Sequence, residues 1–176
     1  MKKVEDENVI NPIYDNGFPV KTIGNQYFEK RVIGSVFLPS FIEIIENECF
    51  KGCRSLTSVE FASDIHLKSI GERAFYQSGL QSIHLPSSLE SIGDYCFYWC
   101  KSLTSVEFGS DIHLKSIGER AFTGSGLTSI HLPSSLESIG DDAFANCPNL
   151  TMVKIPQRFR FKDRFPKGVR FEVISS

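Results

Sequence analysis

Apolar residues recur along this chain in triplets of the form L-x-x-L-x-L. They are Ile33/Val36/Leu38, Leu56/Val59/Phe61, Leu80/Ile83/Leu85, Leu103/Val106/Phe108, Leu127/Ile130/Leu132 and Leu150/Val153/Ile155. The last two positions of each triplet alternate with polar residues, the period-two sign of a half-buried strand. Each triplet therefore predicts a short strand. A turn follows, as at Leu85-Pro86-Ser87-Ser88 and again at Leu132–Ser135. Next come a second apolar pair, such as Leu89 and Ile92, and a short segment, Asp94-Tyr95-Cys96-Phe97-Tyr98-Trp99. The glycine before that segment and the acidic residue at its start suit a helix N-terminus. At about one and a half turns, such a helix stands only by packing its Phe inward.

The pattern is a repeat. Phe28, Phe50, Phe75, Phe97, Phe122 and Phe144 are spaced by 22, 25, 22, 25 and 22 residues. Each follows an Ile-Gly or Ile-Glu pair, from Ile23-Gly24 to Ile139-Gly140. Residues 56–102 and 103–149 are identical at 37 of 47 positions, so the unit is also duplicated as a pair. Units of this length mean a solenoid, in which no unit buries its apolar face alone. The Phe, Leu and Ile positions are then core, which accounts for Phe being 15 of 176 residues.

The run LPSSLESIGDYCFYWCKSLTSVEF resembles the BspA-like leucine-rich repeats: an inward Ile92-Gly93, then Cys96-Phe97, Cys100, Leu103 and strand residue Val106. The resemblance covers roughly residues 23–156. It implies an α/β fold, a leucine-rich-repeat right-handed solenoid of six repeats of alternating 22 and 25 residues. One face would be a parallel β-sheet, the other short helices or turns. Family members are often surface or secreted proteins that bind other proteins. The 25-residue repeats depart from the pattern, with Ser63-Asp64-Ile65-His66-Leu67 where Pro-Ser-Ser-Leu is usual.

Composition narrows the function. With 41% hydrophobic and 23% charged residues the chain is globular. A net charge of −2 gives no electrostatic reason to hold nucleic acid or an anionic membrane. No apolar run approaches the roughly 20 residues of a membrane-spanning helix. Residues 1–12, MKKVEDENVINP, carry charge where a signal peptide carries its apolar stretch. Within the repeats the serines and histidines are copied with their neighbours, whereas an active site is a single asymmetric constellation, so neither catalysis nor a cofactor is expected. Phosphate-loop and zinc motifs are absent.

Equivalent cysteines recur 47 residues apart (Cys53, Cys100 and Cys147; Cys49 and Cys96). That places them two rungs apart, about 9–10 Å, beyond the roughly 7 Å reach of a disulfide. Nor does a histidine or third cysteine recur beside the Cys49/Cys53 or Cys96/Cys100 pairs to complete a zinc site. Buried free thiols, which fit a reducing compartment, are the expectation.

Two faces are candidates for a partner. Stacking the strands in order places Phe37, Glu60, His84, Glu107, His131 and Lys154 in one outward column, beside Ser35, Ser58, Ser82, Ser105, Ser129 and Met152. Parallel strands lie about 4.8 Å apart, so Glu60 and Glu107 are expected to flank His84 and to raise its pKa. Glu60, His84, Glu107 and His131 are the first choice of partner-binding residues. The second choice comes from the ten differences between the duplicated halves. Tyr76, Tyr98 and Trp99 in the first copy are Thr123, Ala145 and Asn146 in the second, and exposed aromatics anchor interfaces. The alternatives are plain cross-strand pairing for the column and mutual packing for the rings.

Residues 1–22 lack the repeat and read as an arm or cap; 23–156 are the solenoid. Residues 157–176 read as a C-terminal cap with a final strand near Val169–Val173, which places Glu172 beside Lys154. The function expected is a non-catalytic protein-binding module displaying a rigid curved surface to another protein, as a monomer. The alternative is a structural spacer or a fragment of a longer array that positions another domain.

Overall fold

The structure is a computed structural model and describes residues 14–15, 18–157 and 159–174. Two stacks of parallel strands run along the solenoid. The first is built from the triplets: β4 (Ser35–Leu38), β6 (Ser58–Phe61), β8 (Ser82–Leu85), β10 (Ser105–Phe108), β12 (Ser129–His131) and β14 (Met152–Pro156). The second is a continuous six-stranded sheet of two-residue strands, β3 (Thr22–Ile23), β5 (Ile44–Ile45), β7 (Ser69–Ile70), β9 (Ser91–Ile92), β11 (Ser116–Ile117) and β13 (Ser138–Ile139). In each its Ile is buried and pairs with the Ile of the next repeat. Of the arm expected over 1–22, most lies outside the described residues; β1 (Tyr14–Asp15) and β2 (Phe18–Pro19) form a small antiparallel pair. At the other end β15 (Arg170–Ile174) pairs with β14, and Lys154 lies opposite Glu172 as the sequence suggested.

The third side differs from the expected short helices. Among the described residues the only helix is a 3-10 turn at Lys162–Arg164. The segments between the two stacks are six-residue turns whose second and sixth residues have positive φ, as at Tyr95 and Trp99 (both 55°). Alternating the backbone hand this way points the amide of each central Phe along the solenoid axis. Phe50 N–H donates to Ala74 O at 2.7 Å, Phe75 to Cys96 O at 2.9 Å and Phe97 to Ala121 O at 2.7 Å. Six residues close too few intrahelical bonds to stand alone; here alternate donors, Tyr95, Phe97 and Trp99, bond to the next repeat, while Tyr98 N–H donates within the turn to Tyr95 O.

Gly71, Gly93, Gly118 and Gly140 of the Ile-Gly pairs are explained by contact between repeats and not by helix capping. A side chain at Gly93 would place its Cβ 2.7 Å from Glu72 N and from Gly71 C, inside the backbone of the preceding repeat. The polar residue at the start of the turn, Asp94 or Asn47, also has a job between repeats. Glu119 N–H donates to Asp94 Oδ1 at 2.7 Å and Glu72 N–H to Asn47 Oδ1 at 2.8 Å.

The core is a column of parallel rings. Phe28, Phe50, Phe75, Phe97, Phe122 and Phe144 stack in sequence with centroids 5.0–5.3 Å apart and interplanar angles of 2–9°. Burying each ring contributes about 1.5–3 kcal/mol. Beside them runs a column of small buried polar groups, Cys53, Ser78, Cys100, Ser125 and Cys147. The Cys53, Cys100 and Cys147 thiols donate to the carbonyls of Phe28, Phe75 and Phe122 at 2.9, 3.0 and 3.2 Å. These bonds satisfy main-chain oxygens inside the core.

Candidate functional site

The outward column of the triplet strands is present, but it is divided. Ladders join β4 to β6, β8 to β10, and β12 to β14 to β15; no ladder joins β6 to β8 or β10 to β12 among the described residues. The column therefore reads Phe37–Glu60, then His84–Glu107, then His131–Lys154–Glu172. His84 Nδ1 lies 3.6 Å from Glu107 Oε2, its one carboxylate partner among the described residues. Glu60 is in register with Phe37, so the expected Glu60–His84–Glu107 triplet is not formed as a continuous ladder. His131 lies opposite Lys154, which makes a 3.9 Å ion pair with Glu172.

The division follows from chain length. Ser35 to Ser58, Ser82 to Ser105 and Ser129 to Met152 are steps of 23 residues, whereas Ser58 to Ser82 and Ser105 to Ser129 are steps of 24. Each strand before a break runs into one of the longer Ser-Asp-Ile-His-Leu loops. The chain returns from these to the inner Ile after nine residues (Phe61 to Ile70) instead of seven (Leu85 to Ile92).

At the second break the surface opens into a cleft of about 500 Å3. Its apolar walls are Phe108, Ile112, Pro133, Pro156 and Ile174, and its polar rim carries His84, Glu107, Asp111 and His131. Three of the four first-choice residues thus meet at one place, and Glu60 lies away from it. The wall residues and Asp111 were missed in the sequence. The signal that could have found them is the alternation of 23- and 24-residue strand steps, which a uniform stack overlooks.

The second-choice rings sit together on the turn side. Tyr76 and Tyr98 stack at 5.2 Å and 12°, and Tyr98 meets Trp99 at 6.2 Å and Tyr95 at 5.5 Å. Lys101 Nζ lies 4.5 Å over the Trp99 ring. Trp99 also rests against Gly124, where a Cβ would come within 3.1 Å of the indole. Arg73 and Arg120 both face the ring of Tyr95, and Arg120 donates to its hydroxyl at 3.1 Å. The ring faces are thus largely taken up within the chain, although Trp99 remains 40% exposed.

All five cysteines are free and buried. Burial pushes their thiols up: Cys49 and Cys96 strongly, Cys100 to about 11, with Cys53 and Cys147 shifted in the same direction. Thiols held neutral are poor nucleophiles and poor metal ligands. Among the described residues no group of three His, Cys, Asp or Glu side chains could hold a metal ion. No helix there is long and apolar enough to cross a membrane.

Comparison with known proteins places this architecture. The BspA type leucine rich repeat region matches in six copies over residues 21–151. A search of curated proteins returns no match. Among solved structures the chain is similar to the pneumococcal vaccine antigen PcpA, at 28% identity and a TM-score of 0.78, covering 82% of this chain and 39% of that one. It is also similar to the Treponema pallidum (T. pallidum) leucine rich repeat protein, at 28% identity and TM-score 0.59, with 84% and 57% of the two chains covered. A leucine rich cell surface protein of Faecalibacterium prausnitzii matches at 27% identity and TM-score 0.55, over 82% and 46%. The chain thus spans between about two fifths and three fifths of these relatives' lengths. Six matching copies over most of the sequence and a six-rung parallel solenoid agree: this chain belongs to the BspA-type leucine-rich-repeat family.

Proposed function

We propose that this protein is a non-catalytic interaction module that binds another protein through the outward face of its triplet strands. The observation that carries the reading is the cleft at the second break, where His84, Glu107 and His131 gather over apolar walls. Apolar walls with a few convergent polar groups are the usual makeup of a binding site. The inner six-stranded sheet runs unbroken across the break, and ladders join β8 to β10 and β12 to β14 on its two sides, so the surface is preformed and loses little ordering entropy on binding. The name of one structural relative, a cell surface protein, fits a role in adhesion. The aromatic cluster is the weaker candidate, because its rings already spend their faces on each other and on Lys101, Arg73 and Arg120.

The test compares capture of binding proteins by three immobilised forms. These are the wild type, a variant with Glu60, His84, Glu107 and His131 changed to Ser, and a variant with Tyr76, Tyr98 and Trp99 changed to Ala. A partner retained by the aromatic variant and lost by the strand-face variant supports the reading. The reverse pattern moves the site to the turn side, and no partner on the wild type favours a spacer.

A further inference from the structure

We infer that the cleft between β10 and β12 takes a basic side chain, lysine or arginine, from the partner protein. This rests on the strand-face reading above and names the chemistry it selects. Two carboxylates, Glu107 and Asp111, stand on the rim, and no lysine or arginine lines the cleft. Among the described residues Glu107 shares its charge only with His84, at 3.6 Å across an exposed pair. Asp111 is exposed and sits at the tip of the long loop with φ 54°. The walls are Phe108, Ile112, Pro133, Pro156 and Ile174.

An apolar slot with anionic charge at its mouth matches one kind of protein side chain: a long methylene stem ending in a cation. The stem is buried against rings and aliphatic groups while the head stays at the rim beside carboxylates. An acidic side chain is repelled there, and a purely aliphatic one leaves the carboxylates unanswered.

The duplicated half supplies an internal control. Glu60, Asp64, Phe61, Ile65 and Pro86 occupy the equivalent positions at the first break. There, however, Gly109 stands where Pro156 walls the second, and Phe37 where His84 does. The first break keeps the acidic pair without the same walls, so attraction by charge alone acts at both places and seating of the stem acts at one.

The experiment is an amide NMR titration of the whole protein with blocked tripeptides, Gly-X-Gly, in which X is Arg, Lys, norleucine or Glu. The Arg and Lys peptides are expected to shift Phe108, Gly109, Asp111 and His131 with millimolar affinity, about tenfold tighter than norleucine. Shifts at Phe61, Ala62 and Asp64, at the first break, are expected to be smaller. Glu107→Gln with Asp111→Asn, both at exposed positions, is expected to abolish the preference for Arg and Lys over norleucine. Equal shifts at the two breaks, equal binding of norleucine, or no shifts at the second break each overturn the inference. If the strand-face variant still loses a captured partner while the basic peptides leave the cleft unmoved, this inference fails and the proposed function stands. If capture is lost only with the aromatic variant, the strand-face reading itself fails.

Discussion

Phe165 lies parallel to Phe144 with ring centroids 4.5 Å apart and an interplanar angle of 13°, closer than any pair within the repeat column. It comes from the non-repeating C-terminal segment and supplies a seventh ring. Nearby, Arg164 pairs with Asp141, the counterpart of Asp94, whose carboxylate accepts an amide from the following repeat. With no seventh repeat to supply that amide, the guanidinium takes its place.

Phe165→Ala uncovers the end of the column. A loss of about 2–4 kcal/mol is expected from removing a buried aromatic at an edge that relaxes partly. Urea denaturation of the variant against the wild type measures it. A change below about 0.5 kcal/mol, the range of an ordinary surface substitution, contradicts the capping role.

Gln77 has φ 53°, and its copy 47 residues on is Gly124 with φ 70°. A left-handed conformation costs a residue with a Cβ about 1–2 kcal/mol, partly offset by the greater freedom that glycine has in the unfolded chain. Gln77→Gly is therefore expected to stabilise the protein, by up to about 1 kcal/mol. Thermal unfolding reads this as a raised Tm; a lowered Tm means that the Gln77 side chain makes a contact worth more than the strain.

The buried thiols give a pH dependence with a definite sign. Their folded-state pKa values are raised, chiefly by desolvation. The stability they contribute is complete below the unfolded thiol value of about 8.5 and is lost as pH rises towards the folded values. For Cys100 that window closes at about 11. Urea midpoints measured upward from pH 8 are expected to fall steadily. Changing Cys53, Cys100 and Cys147 to Ser, the residue already found at positions 78 and 125 of the same column, is expected to make the fall shallower. An unchanged slope shows that other groups govern alkaline stability.

Much of the fold could be read from residues such as Phe97 and Ile92, because a fixed spacing of large apolar groups has few physical solutions besides a stack. The triplet strands were legible for the same reason. The turns were not: Gly93-Asp94 reads as a helix start, and only the close approach of the preceding backbone reveals that the glycine makes room. The two-residue strands at Ile23 to Ile139 are too short to show any alternation. At the site, the outward direction of His84 and Glu107 followed from strand alternation. The cleft did not, because a step of 24 residues in place of 23 looks like a neutral loop insertion until the lost ladder is seen. Nor could the sequence show that Tyr98 and Trp99 pack against their neighbours, since differences between copies mark an exposed patch and a self-packed cluster alike.

Whether the triplet-strand face meets the partner is read by a hydrogen-exchange footprint of the captured complex. Amides of residues 105–113 and 129–134 are expected to slow on binding, while those of the turns at 72–77 and 94–99 keep their free rates. Protection confined to the turns, with the strand face unchanged, contradicts the account.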